Sequence, residues 1–106
     1  MDIFKASRHG EVGRIKKLVR SGTSVDSRDG YNRTPLMYAV ANNRQEAAKF
    51  LYKNGCNLNL QSDYGDTAAH MAARNGHGKM VQLLANWGAD LKIRNREGKT
   101  PVDIMK

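Results

Sequence analysis

Residues able to transfer protons, ligate a metal or attack an electrophile are few in this chain, and they lie apart. Its 106 residues include three histidines, His9, His70 and His77, and a single cysteine, Cys56. None of the four pairs with acids or with one another at a metal-ligand spacing. Asp63 and Asp66 form a close carboxylate pair, yet they sit among turn residues, where hairpin and contact roles outrank acid–base work. No Ser/His/Asp grouping stands out. The glycines are spread one per turn instead of clustering into a phosphate-cradling loop. No catalytic residue, cofactor site or metal site is therefore expected. Cys56 cannot form an internal disulfide, which points to a reducing, intracellular setting, cytoplasmic or nuclear. No apolar run reaches the roughly 18 residues of a membrane span. Asp2, Lys5 and Arg8 interrupt the N-terminus where a signal peptide would be apolar.

The positioning elements are legible from a repeat. Thr34, Thr67 and Thr100 stand 33 residues apart, as do Gly22, Gly55 and Gly88, then Ala6, Ala39 and Ala72, then Leu18, Leu51 and Leu84. Such a period marks stacked supersecondary units, none able to bury its apolar face alone. Each unit reads turn, helix, short turn, helix, loop. In residues 29–61, Thr34 caps a helix that Pro35 opens, and Leu36, Ala39 and Val40 share its inner face. Asn42 and Asn43 break it. A second helix runs from Gln45 to Lys53 and ends at Gly55. Residues 62–94 repeat the plan. Residues 1–28 form an N-terminal cap with helices over Ile3–Arg8 and Val12–Arg20, no capped start, and a basic outer side of Arg14, Lys16, Lys17 and Arg20. Residues 95–106 begin a further unit and stop one or two turns into its first helix. On this plan, nothing after that fragment covers Val81, Leu84 and Trp87.

Thr34-Pro35-Leu36-Met37, Thr67-Ala68-Ala69-His70 and Thr100-Pro101-Val102-Asp103 resemble the Thr-Pro-Leu-His tetrapeptide of ankyrin repeats. Asn75-Gly76-His77, then Val81, Leu83-Leu84 and Gly88-Ala89-Asp90, resemble the rest of that consensus. Met37 departs from the tetrapeptide histidine, and Asn32 and Asn43 occupy glycine slots, where asparagine also tolerates positive φ. The resemblance implies an all-α solenoid of about three stacked helix-turn-helix repeats plus a C-terminal fragment, with β-hairpin fingers along one edge. It also gives His70 a hydrogen-bonding role within its repeat. Leu51, Leu58 and Asn59 resemble the pattern at which asparagines of such repeats are hydroxylated, which makes Asn59 a candidate modification site.

Ankyrin repeats bind other proteins through fingers and the concave ends of first helices. Carried over by position, the contact residues here are Arg8, Arg28, Tyr31, Arg33, Gln61, Asp63, Tyr64, Asp66, Arg74, Asn75, Arg94, Arg96 and Lys99. Tyr31 and Tyr64 occupy one slot in successive fingers and are expected to stand as an exposed aromatic pair. Net charge is +8, with +4 in residues 1–28 and +2 in each of residues 29–62 and 63–106. A basic rim around two tyrosines suits an acidic protein or peptide with an apolar anchor, bound by a monomeric, noncatalytic module. Two alternatives stand beside it. One is a basic nucleic-acid surface, against which weighs the lack of stacked aromatics along a groove. The other is a scaffolding or regulatory segment of a larger protein, which the abrupt end at Lys106 keeps open.

Overall fold

A computed structural model describes residues 2–105. Its helices are α1 (Ile3–Arg8), α2 (Val12–Arg20), α3 (Pro35–Ala41), α4 (Gln45–Lys53), α5 (Ala68–Arg74), α6 (Gly78–Asn86) and α7 (Pro101–Met105). No strand occurs among the described residues. The first helices α1, α3, α5 and α7 pack side by side in one row. Each of α2, α4 and α6 packs behind the first helix of its own pair, and α2 also packs on α4.

Local chemistry sets where the helices begin. Thr34 Oγ1 accepts from the Met37 amide at 3.3 Å, and Pro35 loses no partner at the first helical position. Thr100 and Asp103 cap reciprocally: the Asp103 carboxylate accepts from the Thr100 amide at 3.0 Å, and Thr100 Oγ1 from the Asp103 amide at 3.2 Å. The start of α1, expected to be uncapped, has a cap after all. Asp2 Oδ1 accepts from the Lys5 amide at 2.8 Å. The helices α2, α4 and α6 lack side-chain caps. Instead each follows a residue in the left-handed region, Gly10, Asn43 or Gly76, with φ of 70°, 56° and 74°. The next amide in each case returns to the preceding helix, as in Glu11 N–H to Ala6 O at 2.9 Å and Arg44 N–H to Ala39 O at 2.8 Å.

Packing explains the inner row. Ala6, Ala39 and Ala72 are all fully buried, and their small side chains let neighbouring first helices approach closely. Larger groups, Leu36, Met37, Leu51, Met80 and Leu84, are buried in the same core. One expectation is corrected here. Val81 and Leu84 are 4% and 0% exposed, so they lie inside the array. Trp87 turns backward and stacks on Tyr52, with centroids 4.7 Å apart and rings inclined by 6°. The apolar side chains left open at that end are Val102 and Met105, on α7.

Cys56 lies in this core at 8% exposure, in the register position that Ala89 fills one repeat later. Burial, and then the negative charge of Asp26, push its thiol up to about 12. The unfolded chain ionises this thiol at its ordinary value while the folded chain holds it neutral. The associated stability is present below that ordinary value and is lost as pH rises toward 12. At neutral pH the folded chain is expected to react with a thiol reagent only after denaturant is added. Rapid labelling of the folded chain, measured by absorbance, would contradict this placement.

Candidate functional site

Three loops project from the edge of the first-helix row. Each is closed by a pair of main-chain hydrogen bonds at equivalent positions. In the first, the Asp29 amide donates to Arg33 O and the Asn32 amide to Asp29 O, both at 3.0 Å. In the second, Ser62 donates to Asp66 O and Gly65 to Ser62 O, both at 2.9 Å. In the third, Asn95 donates to Lys99 O and Gly98 to Asn95 O, both at 2.9 Å. The fingers are thus tight closed loops and not ladders of paired strands. A side chain at the loop start completes each one. Asp29 Oδ1 accepts from the Tyr31 and Arg33 amides at 2.9 and 2.8 Å, and Asn95 Oδ1 from Glu97 and Lys99, both at 3.0 Å. Asp29 opens the turn signal Asp29-Gly30-Tyr31-Asn32, whereas Asn95 was not singled out; its 33-residue register with Asp29 and Ser62 was the available signal.

Neighbouring fingers touch through the backbone. The Asp63 amide donates to Tyr31 O at 2.9 Å, and the Arg96 amide to Tyr64 O at 3.1 Å. Gly65, with φ of 79°, makes the second contact possible: a Cβ there would lie 2.8 Å from the Arg96 nitrogen. Side chains add struts one repeat apart. Arg28 Nη1 donates to Asn32 O at 2.6 Å and to Gln61 O at 3.0 Å. Gln61 Nε2 donates to Gly65 O at 2.8 Å and to Arg94 O at 3.3 Å. Arg94 Nη1 closes its own loop on Gly98 O at 2.8 Å. Asn32 Nδ2 donates to Asp63 Oδ1 at 2.8 Å.

Tyr31 and Tyr64 are 53% and 60% exposed. Their backbones are neighbours, but no ring contact joins them among the described residues. The Tyr31 ring instead carries the Arg33 guanidinium 4.7 Å from its centroid, and Arg33 also lies 5.4 Å from the Tyr38 ring. Arg33 Nε sits 3.3 Å from Asp29 Oδ2 without a hydrogen bond. The Tyr38 hydroxyl donates to that same carboxylate. Burial pushes the Asp29 pKa up, but the Tyr38 hydrogen bond, the Arg33 and Tyr31 amides and the Arg33 charge together outweigh it, so the net displacement is downward. Burial, then the bond to Asp29, raises the Tyr38 phenol.

The remaining predicted contact residues divide by their bonding. Asp66 is 3% exposed and lies beneath the surface, accepting from Arg74 and, at 3.0 Å, from Asn95 Nδ2. Arg74 also approaches Glu97 at 3.9 Å. Asn75 folds back onto Met71 O at 2.8 Å. Arg8, Arg96 and Lys99 are exposed, and none forms an ion pair among the described residues. Asn59 is exposed, and its Oδ1 accepts from the Asp90 amide at 2.8 Å, so its amide group already bridges two repeats. His77 is half-buried and lies 3.2 Å from Ala41 O.

Two clefts open on this side. One of about 150 Å³ is lined by Arg8, Arg33, Met37, Tyr38, Ala41, Asn42 and Met71. The other, of about 300 Å³, is lined by Tyr64, Asp66, Arg74, Asn95, Arg96 and Glu97. Among the described residues no group of three or more His, Cys, Asp or Glu could hold a metal ion.

Stacked helix pairs at a 33-residue period, with closed loops along one edge, define an all-α repeat solenoid. A family model described as ankyrin repeats, in three copies, matches residues 3–95. The chain belongs to the ankyrin-repeat family, whose repeats are protein-interaction modules. Similar curated proteins include Palmitoyltransferase Hip14 of Drosophila melanogaster, 35% identical over 104 residues, 97% of this chain and 16% of that protein. Palmitoyltransferase ZDHHC13 of Mus musculus is 38% identical over 97% of this chain and 17% of its own length. Palmitoyltransferase ZDHHC17 of Danio rerio is 37% identical over 92% of this chain and 16% of its own length. The chain thus spans about a sixth of the length of these relatives.

Proposed function

We propose that this array binds a protein or peptide with acidic and apolar features along its fingers and concave side, without catalysis of its own. The observation that carries the reading is the exposure of Tyr31 and Tyr64 on fingers whose backbones are joined. An exposed tyrosine offers a large, stiff contact surface with a polar tip. Arg33, held against the Tyr31 ring, and Arg8, Arg96 and Lys99, which are free of acid partners, supply the positive field. Arg28, Gln61, Asp63 and Arg94 hold the loops in place; Asp66 and Arg74 line the larger cleft, and Asn75 is tied to Met71 O. The site is less basic than its composition suggests, because Arg33 and Arg74 already face Asp29 and Asp66. On this reading the acidic part of the partner lies near Arg8 and near Arg96 and Lys99.

Capture from nuclease-treated lysate tests this, with the parent beside a Tyr31→Ala/Tyr64→Ala variant of verified fold. The expected result is retention of defined proteins by the parent and a loss of at least about tenfold in the variant, as for two anchors worth more than 1 kcal/mol each. Equal capture by both would remove the fingers from the site.

The similarity to named palmitoyltransferases supports a second, compatible reading, in which such an array is the recruiting segment of a longer protein. Recovery of a native transcript that encodes a transferase region in frame with this array would support it, and a transcript that encodes the array alone would end it.

A further inference from the structure

The back of the array carries charge that the finger site does not use. The helices α2, α4 and α6 hold seven Lys/Arg, four on α2, two on α4 and one on α6, against a single acid, Glu46. Lys16 and Arg20 lie one helical turn apart on α2, and Lys49 and Lys53 occupy the same register on α4. All four are exposed, and none forms an ion pair among the described residues. The helices α2 and α4 pack together, and Lys16 Nζ reaches across to lie 5.9 Å from the Phe50 ring centroid on α4. The four cations therefore form a compact two-by-two grid.

Like charges one helical turn apart oppose each other, and acids are the usual remedy. Here the three helices supply only Glu46, and it forms no ion pair among the described residues. A role as a polar terminal cap accounts for α2 but not for α4, which lies inside the array. Solubility alone would place charge in every pair. Yet the equivalent positions of α6 are the neutral Gln82 and Asn86. The grid is a local feature of the first two pairs.

We propose that this convex face attaches to an anionic phospholipid surface. Three observations favour lipid over nucleic acid. Three of the four cations are lysines, compact point charges that suit mobile headgroups, whereas ordered phosphates favour the arginine fork. The aromatic rings on this side are occupied: Tyr52 and Trp87 stack on each other, and Phe50 lies beneath Lys16, so no ring is free to stack on a base. A cleft of about 220 Å³ on this side is lined by Val12, Glu46, Lys49, Phe50 and Lys53, and the Glu46 carboxylate in it opposes a phosphate strand laid there. Attachment would be peripheral, since no described helix is long and apolar enough to cross a membrane.

Vesicle cosedimentation tests the proposal, using phosphatidylcholine alone and with about one-third phosphatidylserine. The parent is expected to bind only the anionic vesicles and to be released by salt. The variant Lys16→Gln/Arg20→Asn/Lys49→Gln/Lys53→Asn installs the residues that α6 already carries in the same fold. With each cation worth roughly a fivefold change, partition should fall by at least about a hundredfold. Circular dichroism checks the fold, and Lys16→Gln/Lys49→Gln alone should lose at least about tenfold. Failure of the parent to bind anionic vesicles at low salt overturns the proposal. So does binding undiminished in both variants, or tighter binding of the parent to a nucleic-acid duplex than to the vesicles.

Discussion

Replacing Leu51 by alanine lowers the free energy of unfolding by about 2–5 kcal/mol. Leu51 is fully buried on α4, in a register shared with Leu18 and Leu84. Its carbonyl also accepts the Cys56 amide at 3.1 Å where the chain leaves the helix. Truncation removes apolar contacts and leaves a cavity walled by two rows of helices whose spacing the flanking pairs already set. Collapse of that wall would disturb both neighbours, because stability in such arrays rests on interfaces between adjacent units. Urea unfolding followed by circular dichroism reads the change directly. A loss below about half a kcal/mol would mean that Leu51 is not a core residue of the middle pair.

His70→Ala is expected to cost about 2–3 kcal/mol, through hydrogen bonds more than volume. The ring is fully buried and bonded at both nitrogens. Nδ1 accepts from the Thr67 amide at 3.0 Å, and Nε2 lies 2.8 Å from Lys99 O, so the ring sits as the tautomer with its proton on Nε2. One bond caps α5 and the other tethers the third finger just before α7. Alanine leaves the Thr67 amide without its imidazole partner and releases that tether. His70→Met separates the two contributions, since Met37 fills the same slot in the preceding repeat. Methionine should recover packing but not the tether. Amide exchange near α7 should stay fast in both variants. If methionine restores parental exchange there, the imidazole acts only by filling space.

The repeat made the fold legible in detail. Helix limits, the threonine caps of α3 and α5, and the left-handed Asn32 and Asn43 all follow from register and residue type, because these are local effects. What the register concealed was the partner of each polar group. Arg28, Gln61 and Arg94 fall where contact residues are expected, yet they point along the stack and bind finger carbonyls. Asp66 lies in a finger by sequence and is buried by Arg74 and Asn95 in space. The fate of Val81, Leu84 and Trp87 likewise depended on how the last helices settle, a nonlocal matter that no single repeat encodes. Tyr31 and Tyr64 stand exposed as their shared slot suggests, but side by side only in their main chain.

The bonds between repeats have one further mechanical meaning. Among the described residues, the side-chain hydrogen bonds that cross from one repeat to another join positions 29 to 36 apart, from His70 with Lys99 to Arg44 with Arg8, and none of these skips a repeat. Load applied at the two ends therefore passes through each junction in series, and the array behaves as a short spring whose coils share the strain. A ligand seated across two fingers would splint one junction and leave the rest of the spring compliant.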